Sequence, residues 1–310
     1  MFCGKDLHMD SDVEQTSGKK KRFKWVKAII ICVSVLLAIV LLTMFLQLYW
    51  AHRQDNYTPD SPKENLTDIL GNSALSEDDY TTVFLQTGLG KSAVDYLLRQ
   101  GDVGKDEILN YQTAFYAKHK VHCFPFISYF TCEDKSVDED GNVIDGPGPV
   151  DLQEGDIILT LSTHTFGWRH GHAGLVVDTS GSGETLECAE LGTDSSVGDA
   201  SKWWQYSCYA VVRIKGVTPE MQKAVVDFAD AHLVDVPYHL TAGLFGKKAQ
   251  DYNSKGFGMQ CSYLVWYAWN AMGFDLDSDG GQLVTTNDIL NSKLVEVVQI
   301  YGIDPHNFVS

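Results

Sequence analysis

An uncharged apolar run near the N-terminus limits the folds open to this chain more than any other feature. Residues 28–47 contain no charged side chain, and about 20 apolar residues suffice to cross the hydrocarbon core of a bilayer. Basic residues dominate the preceding segment, 19–27, whereas only Arg53 follows closely. The run therefore predicts a single transmembrane helix over residues 28–49, with the basic tail 1–27 in the cytoplasm and the remainder outside the cell.

A cleaved signal peptide is the alternative interpretation of the same run. Its apolar region would normally span about 7–15 residues and would end at a small-residue cleavage site. The run here is longer, and the segment Leu46-Gln-Leu-Tyr-Trp-Ala51 contains no Ala-x-Ala site. An uncleaved anchor in the cell membrane is therefore preferred.

The charge of the chain is distributed unevenly on the two sides of this predicted helix. Residues 1–53 hold 8 of the 24 Lys and Arg residues but 4 of the 41 Asp and Glu residues. Residues 54–310 therefore hold 16 basic and 37 acidic side chains, a net charge of about −21. A surface this acidic repels phosphate backbones, which excludes nucleic acid as a partner. We interpret the acidity as a solvated surface.

The chain beyond the predicted helix divides into three segments by pattern. Residues 50–82 are rich in Pro, Asn, Asp and Ser and lack periodicity, which is typical of a stalk. Residues 83–149 form a predicted helical prefix, because apolar spacing predicts helices over 91–101 and 105–119. Residues 150–310 would then form the main, catalytic domain.

The main domain has a block of strands followed by a block of helices. The pattern of apolar and turn residues predicts four strands, over 156–161, 173–178, 185–190 and 209–214. It also predicts two helices, over 219–233 and from Cys261 to the glycine at 273. Such blocks indicate an α+β fold with an antiparallel sheet packed on helices.

A cysteine and a histidine stand where a thiol nucleophile and its base would be expected. Cys261 follows a glycine-rich loop and opens an apolar helix, while His172 opens a strand between two glycines. A helix N-terminus and a nearby imidazolium both lower the pKa of a thiol. A third polar group usually orients the imidazole, and Glu187 and Glu190 are both candidates, on opposite faces of the next strand. The backbone N–H of Cys261 would help to bind an oxyanion.

Four motifs occur in an order that resembles a known superfamily. They are Asp156-Ile-Ile-Leu159, Gly171-His-Ala-Gly174, Val236-Pro-Tyr238 and Gln260-Cys-Ser262. This order is similar to that of the circularly permuted branch of the NlpC/P60 papain-like superfamily, the YiiX/YebB-like proteins. The resemblance covers about residues 150–300 and implies a permuted papain-like fold.

The resemblance also implies a function and a set of site residues. It implies a thiol peptidase or amidase acting on peptidoglycan stem peptides, with no metal or cofactor. Cys261 would be the nucleophile, His172 the base and Glu187 the third member. Three further residues would support substrate or oxyanion binding, namely Tyr238, Gln260 and Ser262.

Two departures from the family pattern keep other functions open. Gln260 stands where unpermuted members carry Asp, and a long loop separates Tyr238 from Cys261. A lipid- or thioester-directed acyl hydrolase or acyltransferase on the same fold is one alternative. A non-enzymatic wall-binding module is the other.

The other cysteines and histidines receive structural interpretations. The chain has 7 cysteines, too few for a disulfide scaffold in a chain of this length. Cys123 and Cys132 are close enough in sequence to form a bridge, and Cys188 and Cys208 are a weaker pair. His164 and His170 are interpreted as surface or loop residues, unlike His172.

One aspartate-rich loop begins like a calcium-binding loop. The stretch Asp275-Leu-Asp-Ser-Asp-Gly280 has the expected start, but Thr286 stands where a calcium loop carries its bidentate Glu. The sequence therefore favours a loop whose backbone is capped by its own aspartates. No metal is assigned to it.

Overall fold

The N-terminal unit is one long helix. The computed structural model describes residues 10–51, 56–126, 131–165 and 168–309, and the chain divides into Met1–Ala51 and His52–Ser310. In the first unit, α1 covers Asp10–Ala51, and its Lys24–Phe45 segment is long and apolar enough to cross a membrane by length and composition. The helix begins before the predicted span because the basic segment is itself rich in good helix formers. Parts of the predicted tail (1–9) and stalk (52–55) lie outside the described residues.

The second unit is built on a six-stranded antiparallel sheet. Its strand order is β10-β9-β3-β6-β7-β8. The six strands are β3 (Ile157–Thr160), β6 (His172–Asp178), β7 (Glu184–Glu187), β8 (Ser196–Asp199), β9 (Tyr209–Ile214) and β10 (Val295–Tyr301). All four strands predicted from the sequence are present, whereas β8 and β10 were not predicted. The prediction of an α+β fold with an antiparallel sheet is confirmed.

Helices cover both faces of this sheet. They are α2 (Thr67–Leu70), α3 (Glu77–Thr87), α4 (Lys91–Leu98), α5 (Asp102–Phe115), α6 (Pro219–His232), α7 (Cys261–Ala271) and α8 (Thr286–Leu290), with 3-10 helices at Ala200–Gln205 and Pro305–Asn307. A second, four-stranded sheet has the order β1-β2-β4-β5. Its strands are β1 (Lys120–Phe126), β2 (Thr131–Val137), β4 (Thr163–Thr165) and β5 (Trp168–Arg169).

Successive residues of the central strands enter two different cores. Ile157 and Leu159 of β3 pack in the core formed with α6 and α7, whereas Ile158 packs in the core formed with α3, α4 and α5. Side chains alternate between the two faces of a strand, so a strand that is apolar at every position needs a layer on each side. The sheet is therefore the middle layer of three.

This layering corrects the predicted division into a stalk, a helical prefix and a catalytic domain. Within the predicted stalk 50–82, Leu66 and Leu70 are buried and α3 already begins at Glu77. Within the predicted prefix 83–149, the helices share one core with the main sheet, and β1 and β2 follow them. The segment 83–149 is thus part of the same compact unit, because without it one apolar face of the sheet would be exposed.

An ion pair ties the start of β3 to β9. The carboxylate of Asp156 is fully buried and accepts hydrogen bonds from Arg213 Nε and Nη2, both at 2.8 Å. Arg213 also donates to the backbone carbonyl of Asp151 at 2.6 Å. The pair joins two strands that are neighbours in the sheet, and each charge is compensated by the other.

The aspartate-rich loop follows its predicted local structure. Asp275, Asp277 and Asp279 each accept a backbone N–H from the residue two positions later. Asp275 also accepts the indole N–H of Trp266 at 2.7 Å, and Asp277 forms a salt bridge with Lys248. These contacts explain the aspartates as turn-forming residues.

Candidate active site

Cys261 is the first residue of α7, and the residues around it hold the helix start in place. Gln260 is the N-cap: its side-chain oxygen accepts the N–H of Ser262 at 3.0 Å, and its side-chain amide donates to the Val284 carbonyl at 2.9 Å. The Ser262 hydroxyl lies 2.9 Å from the same Gln260 oxygen and 2.8 Å from Val284 O. The thiol is therefore held at a capped helix N-terminus, where the helix dipole favours a negative charge.

The structure places Gln260 and Ser262 in the cap of α7. Both side chains form hydrogen bonds within the cap and with the Val284 carbonyl. These contacts fix the position of Cys261, and the predicted role of the two residues in oxyanion or substrate support stays a prediction. The Cys261 N–H donates to no acceptor among the described residues, which suits an oxyanion donor.

His172 is the first residue of β6 and pairs with Thr160 of β3. The turn before it depends on Gly171, whose φ is +72°. A Cβ at Gly171 would lie 2.5 Å from Thr286 Oγ1 and 2.6 Å from Thr160 O. A side chain at residue 171 would therefore clash and strain the backbone, and it would displace the imidazole that follows.

The structure brings Glu187, and not Glu190, to the imidazole. His172 Nε2 lies 2.6 Å from Glu187 Oε2, and the register of β6 and β7 pairs Leu175 with Leu186. Glu190 lies beyond the end of β7. His172 and Cys261 also interact electrostatically, because each shifts the pKa of the other.

Two residues that the sequence did not single out hold this carboxylate. Thr185 donates its hydroxyl to Glu187 Oε1 at 2.5 Å, and Lys202 Nζ lies 2.7 Å from Glu187 Oε2. Thr185 lies two residues before Glu187 and therefore on the same face of β7. That spacing was the available signal for Thr185, whereas nothing in the sequence places Lys202 beside the strand.

A tryptophan completes the surroundings of the imidazole. The indole of Trp203 stacks on His172 with ring centroids 5.2 Å apart and an interplanar angle of 8°. Its N–H donates to Thr185 Oγ1 at 3.1 Å. Trp203 is fully buried. Its stacking restricts the plane of the imidazole.

The electrostatics of the three residues favour a thiolate and an imidazolium. Burial alone would raise the pKa of Cys261, but His172 and the N–H groups of Ala173 and Ser262 lower it below its ordinary value. Burial alone would lower the pKa of His172, yet Cys261 and Glu187 raise it to about 10. Burial would also raise the pKa of Glu187, but His172 and Lys202 hold it at about 2. Such a charge distribution is the one that activates a cysteine.

Tyr238 lies close to this group on the segment that leads into the loop before α7. It forms an isolated bridge with Met259, two residues before Cys261, and its backbone N–H donates to Thr193 O at 3.1 Å. Burial raises its pKa above the ordinary value, and the charge of Cys261 adds to this effect. Its hydroxyl is therefore held neutral, as a hydrogen-bond donor.

Three other buried or half-buried thiols have a raised pKa, in contrast to Cys261. Burial raises the pKa of Cys188 to about 12 and also raises the pKa of Cys123 and Cys208. Cys123, Cys132, Cys188 and Cys208 are all free, so neither predicted disulfide is formed. Cys261 is thus set apart by its surroundings and not by being left unpaired.

The structure corrects the interpretation of one of the two other histidines in this region. His164, predicted to lie on the surface or in a loop, is a fully buried residue of β4. It is buried because β4 pairs with β2 in the smaller sheet, a pairing that the sequence did not reveal. His170 lies in the loop after β5, as predicted; it is half-buried, and its Nε2 lies 2.9 Å from Thr165 Oγ1.

Removal of the imidazole should change how the reactivity of Cys261 depends on pH. In the wild-type chain, the rate of alkylation of Cys261 by iodoacetamide should reach half of its maximum at a lower pH than for a thiol of ordinary pKa, because His172 lowers the pKa of Cys261. In His172→Ala, the buried thiol loses its cation, so the rate should fall at least about tenfold at pH 7 and rise with pH. Mass spectrometry of the Cys261 peptide measures both rates.

A neighbouring histidine provides the control for this experiment. His170→Ala removes an imidazole two residues earlier and should leave the pH profile of Cys261 unchanged. Equal pH slopes in the wild-type and His172→Ala chains would show that His172 does not set the ionisation of the thiol.

Comparisons with known proteins do not by themselves assign a family to this chain. No family model matches the chain, and no curated protein matches it. Among solved structures, it is similar to the crystal structure of metalloprotein yiiX from Escherichia coli O157:H7, described as DUF1105. That match has a TM-score of 0.36 and 16% sequence identity, and it covers 47% of this chain and 96% of the other. A similarity of this size does not establish a shared family.

Proposed function

We propose that this chain is a membrane-anchored thiol hydrolase that cleaves an amide bond in peptidoglycan stem peptides. The proposal rests on one observation: His172 Nε2 lies 2.6 Å from Glu187 Oε2, and the same imidazole lowers the pKa of the Cys261 thiol. A cysteine at a helix N-terminus, an imidazole and an orienting carboxylate are the parts of a nucleophile for acyl transfer. The ordered motifs of the permuted NlpC/P60 branch supply the substrate class and the permuted papain-like fold.

The reaction would begin with the proton already on His172. The Cys261 thiolate attacks the carbonyl carbon of the scissile amide and forms a C–S bond, while the carbonyl electrons move to oxygen. The Cys261 N–H is placed to donate to that oxygen. Collapse of the intermediate breaks the C–N bond, and the His172 imidazolium gives its proton to the departing amine.

Release of the product would use the same groups in reverse. Neutral His172 takes a proton from water, whose oxygen attacks the thioester carbonyl and displaces the Cys261 thiolate. Glu187 stays ionised throughout and stabilises the imidazolium each time it forms. Trp203 and Thr185 act as positioning residues, because they hold His172 and Glu187 and need not touch the substrate.

The location of the reaction follows from the N-terminal unit. The basic residues before Lys24–Phe45 favour the cytoplasmic side, so the second unit would lie outside the cell, where peptidoglycan is found. In this arrangement α1 would keep the hydrolase at the membrane surface.

A second candidate function is acyl hydrolysis or transfer on a lipid or thioester substrate. The loop between Tyr238 and Cys261 favours this function, because the side chains of Leu240 and Phe245 are exposed there. The exposed fraction of Phe245 is 74%. Large apolar side chains at the surface often mark a binding site for an apolar partner. The same thiolate and imidazolium would carry out that reaction.

Mass analysis of digested peptidoglycan distinguishes the two candidates. The full-length protein in detergent should release peptides from purified peptidoglycan that end in a new carboxylate or a new amine, and Cys261→Ala should release none. The masses of the fragments identify the amide that is cut. Intact muropeptides together with loss of an acyl group from lipid vesicles would favour the second candidate. Intact muropeptides and no acyl loss would contradict both enzymatic proposals.

A further inference from the structure

A second cluster of reactive side chains lies on one face of the smaller sheet. The register pairs Cys123 with Asp134, Cys132 with His164, and His164 with Arg169. Paired residues of neighbouring strands point to the same face of a sheet, as do residues two apart on one strand. All five side chains therefore share one face, although three different strand pairings bring them there.

The donor atoms of two thiols and one imidazole are close enough to share a ligand. Cys123 Sγ lies 3.8 Å from His164 Nε2, and the donor atoms of Cys123, Cys132 and His164 all lie within 4.8 Å of one another. Zn²⁺ binds thiolate sulfur at about 2.3 Å and imidazole nitrogen at about 2.0–2.1 Å. With those bond lengths, neighbouring ligands of a tetrahedral ion are about 3.5–3.8 Å apart. The cluster needs only a small contraction to reach that spacing.

The imidazole in this cluster is incompletely satisfied by the protein. His164 is fully buried, and its Nδ1 has no hydrogen-bond partner. Nε2, which lies next to Cys123 Sγ and Asp134 Oδ1, is therefore the nitrogen that points into the cluster. Cys132 is buried as well, and neither cysteine is joined in a disulfide. Among the described residues, the contacts of the Cys261 thiol include no member of this cluster. The candidate active site therefore does not explain why two cysteines and a histidine lie together here.

An acidic residue beside the imidazole could complete the set. Asp134 Oδ1 lies 3.1 Å from His164 Nε2, while its other oxygen, Oδ2, lies 2.5 Å from Arg169 Nη2. Arg169 thus compensates the charge of Asp134 and holds its position. If His164 Nε2 lost its proton and bound a cation, Asp134 Oδ1 would no longer accept that proton. Asp134 Oδ1 would then be free to bind the same cation as an oxygen donor.

We propose that Cys123, Cys132 and His164 form a binding site for one Zn²⁺ ion, with Asp134 as the fourth donor. Binding replaces two S–H bonds by two S–Zn bonds and releases two protons, and the imidazole proton moves from Nε2 to Nδ1. Two thiolates, one carboxylate, the cation and Arg169 then sum to zero charge, which suits a buried site. The site is independent of the proposed hydrolase activity.

The position of this site suggests a structural role. It would join β1, β2 and β4 at one point, and β4 continues through β5 to Gly171 and His172. Since His164 pairs with Arg169, a cation on His164 would anchor the short hairpin that precedes His172. The spacing of the ligands matches no common zinc motif, because register and not sequence proximity brings them together.

Metal titration of the reduced, full-length protein in detergent tests the proposal. After treatment with a chelator, the protein is given ZnCl₂, passed through a desalting column and analysed for metal and protein. One Zn²⁺ per chain is expected to remain bound. In a parallel titration, CoCl₂ should produce the near-ultraviolet absorption of a thiolate-bound cobalt ion, which an ion held by carboxylates alone would not show.

Variants and labelling locate the metal. Cys123→Ser, Cys132→Ser and His164→Asn should each weaken binding roughly 100-fold or more. The matched control is His122→Ala, which removes an imidazole next to Cys123 on the opposite face of β1 and should bind as the wild type does. Because a variant could fail to fold, the wild-type chain is also labelled with a maleimide, and Zn²⁺ should protect Cys123 and Cys132 from it.

Several results would overturn the zinc site. They are less than about one-tenth of a Zn²⁺ per reduced chain, unchanged affinity in a folded Cys123→Ser chain, and equal labelling of Cys123 and Cys132 with and without Zn²⁺. A Cys123–Cys132 disulfide that resists reductant in the folded chain would overturn it too, because the thiolates would then be consumed. None of these results bears on cleavage by Cys261.

Discussion

Replacement of Cys261 with alanine is expected to lower the rate of peptide release from peptidoglycan by on the order of 10⁴-fold or more. The variant keeps the helix N-terminus and His172 but loses the atom that would form the acyl-enzyme. Water would then have to attack the amide directly, without a covalent intermediate. Release of new carboxylates, followed by mass spectrometry under single-turnover conditions, measures the loss.

The structure provides a closely matched control for this variant. Cys188 is also a buried thiol, and burial raises its pKa to about 12, so it is held protonated. Its Sγ contacts the Met259 carbonyl at 3.2 Å and does not contact His172. Cys188→Ala should therefore retain activity within a few-fold, although it removes the same atoms. Comparable losses in both variants would indicate a general effect of cavity formation and not loss of a nucleophile.

Stability separates loss of chemistry from loss of folding in Cys261→Ala. Groups that carry charge in a buried site commonly reduce the stability of the fold. The thermal midpoint of the variant should therefore be equal to or higher than that of the wild type. A midpoint well below the wild-type value would mean that Cys261 contributes mainly to packing.

Replacement of Arg213 with methionine is expected to reduce the free energy of unfolding by about 3–5 kcal/mol. Methionine fills a similar volume, so the main change is that the buried Asp156, at the start of β3, loses the guanidinium that pairs with it. A buried carboxylate without a compensating charge is strongly unfavourable. Denaturation by urea, followed by tryptophan fluorescence of the full chain in detergent, measures the change.

The cost of Arg213→Met should depend on pH in a defined direction. Burial raises the pKa of Asp156, and Arg213 opposes that effect. Without Arg213, the folded chain can lower the cost by binding a proton at Asp156, which is easier at low pH. Because the folded state then binds more protons than the unfolded state, stability falls as the pH rises from about 4 towards the raised pKa. The destabilisation should thus be larger at pH 8 than at pH 5.

A surface ion pair supplies the control for this second prediction. Lys223 pairs with Asp227 at 2.6 Å, and the two side chains are 67% and 60% exposed. Lys223→Met should change the free energy of unfolding far less than Arg213→Met, because solvent screens an exposed ion pair. Equal effects for Arg213→Met and Lys223→Met would contradict the assignment of the Asp156–Arg213 pair as a buried, compensated charge pair.

Much of the local structure could be predicted from patterns within a few residues. The strand at Tyr209–Ile214 has the predicted bounds, and α6 begins at Pro219, where Thr218 caps it. Cys261 begins α7 as expected, since a polar cap followed by an apolar run is a local signal. The predicted apolar span is likewise found within α1.

The smaller sheet and the place of the helical segment could not be predicted in this way. β4 and β5 have only three and two residues, too few for an alternation pattern to be recognised. The helices over 83–115 were predicted, but the sheet that they pack against was not. An amphipathic pattern indicates that one face of a helix is buried, but it does not indicate which element covers that face. The sheet face that they cover belongs to strands more than forty residues later.

The sequence by itself determined the membrane-length helix, the α+β class, and the positions of Cys261 at a helix start and His172 at a strand start. Each of these depends on neighbouring residues, whose periodicity and capping are legible in a single chain. The tertiary structure alone decided between Glu187 and Glu190, placed Trp203 on His172, and gathered Cys123, Cys132 and His164. Those contacts depend on strand register, and a shift of one residue in register turns every side chain to the other face.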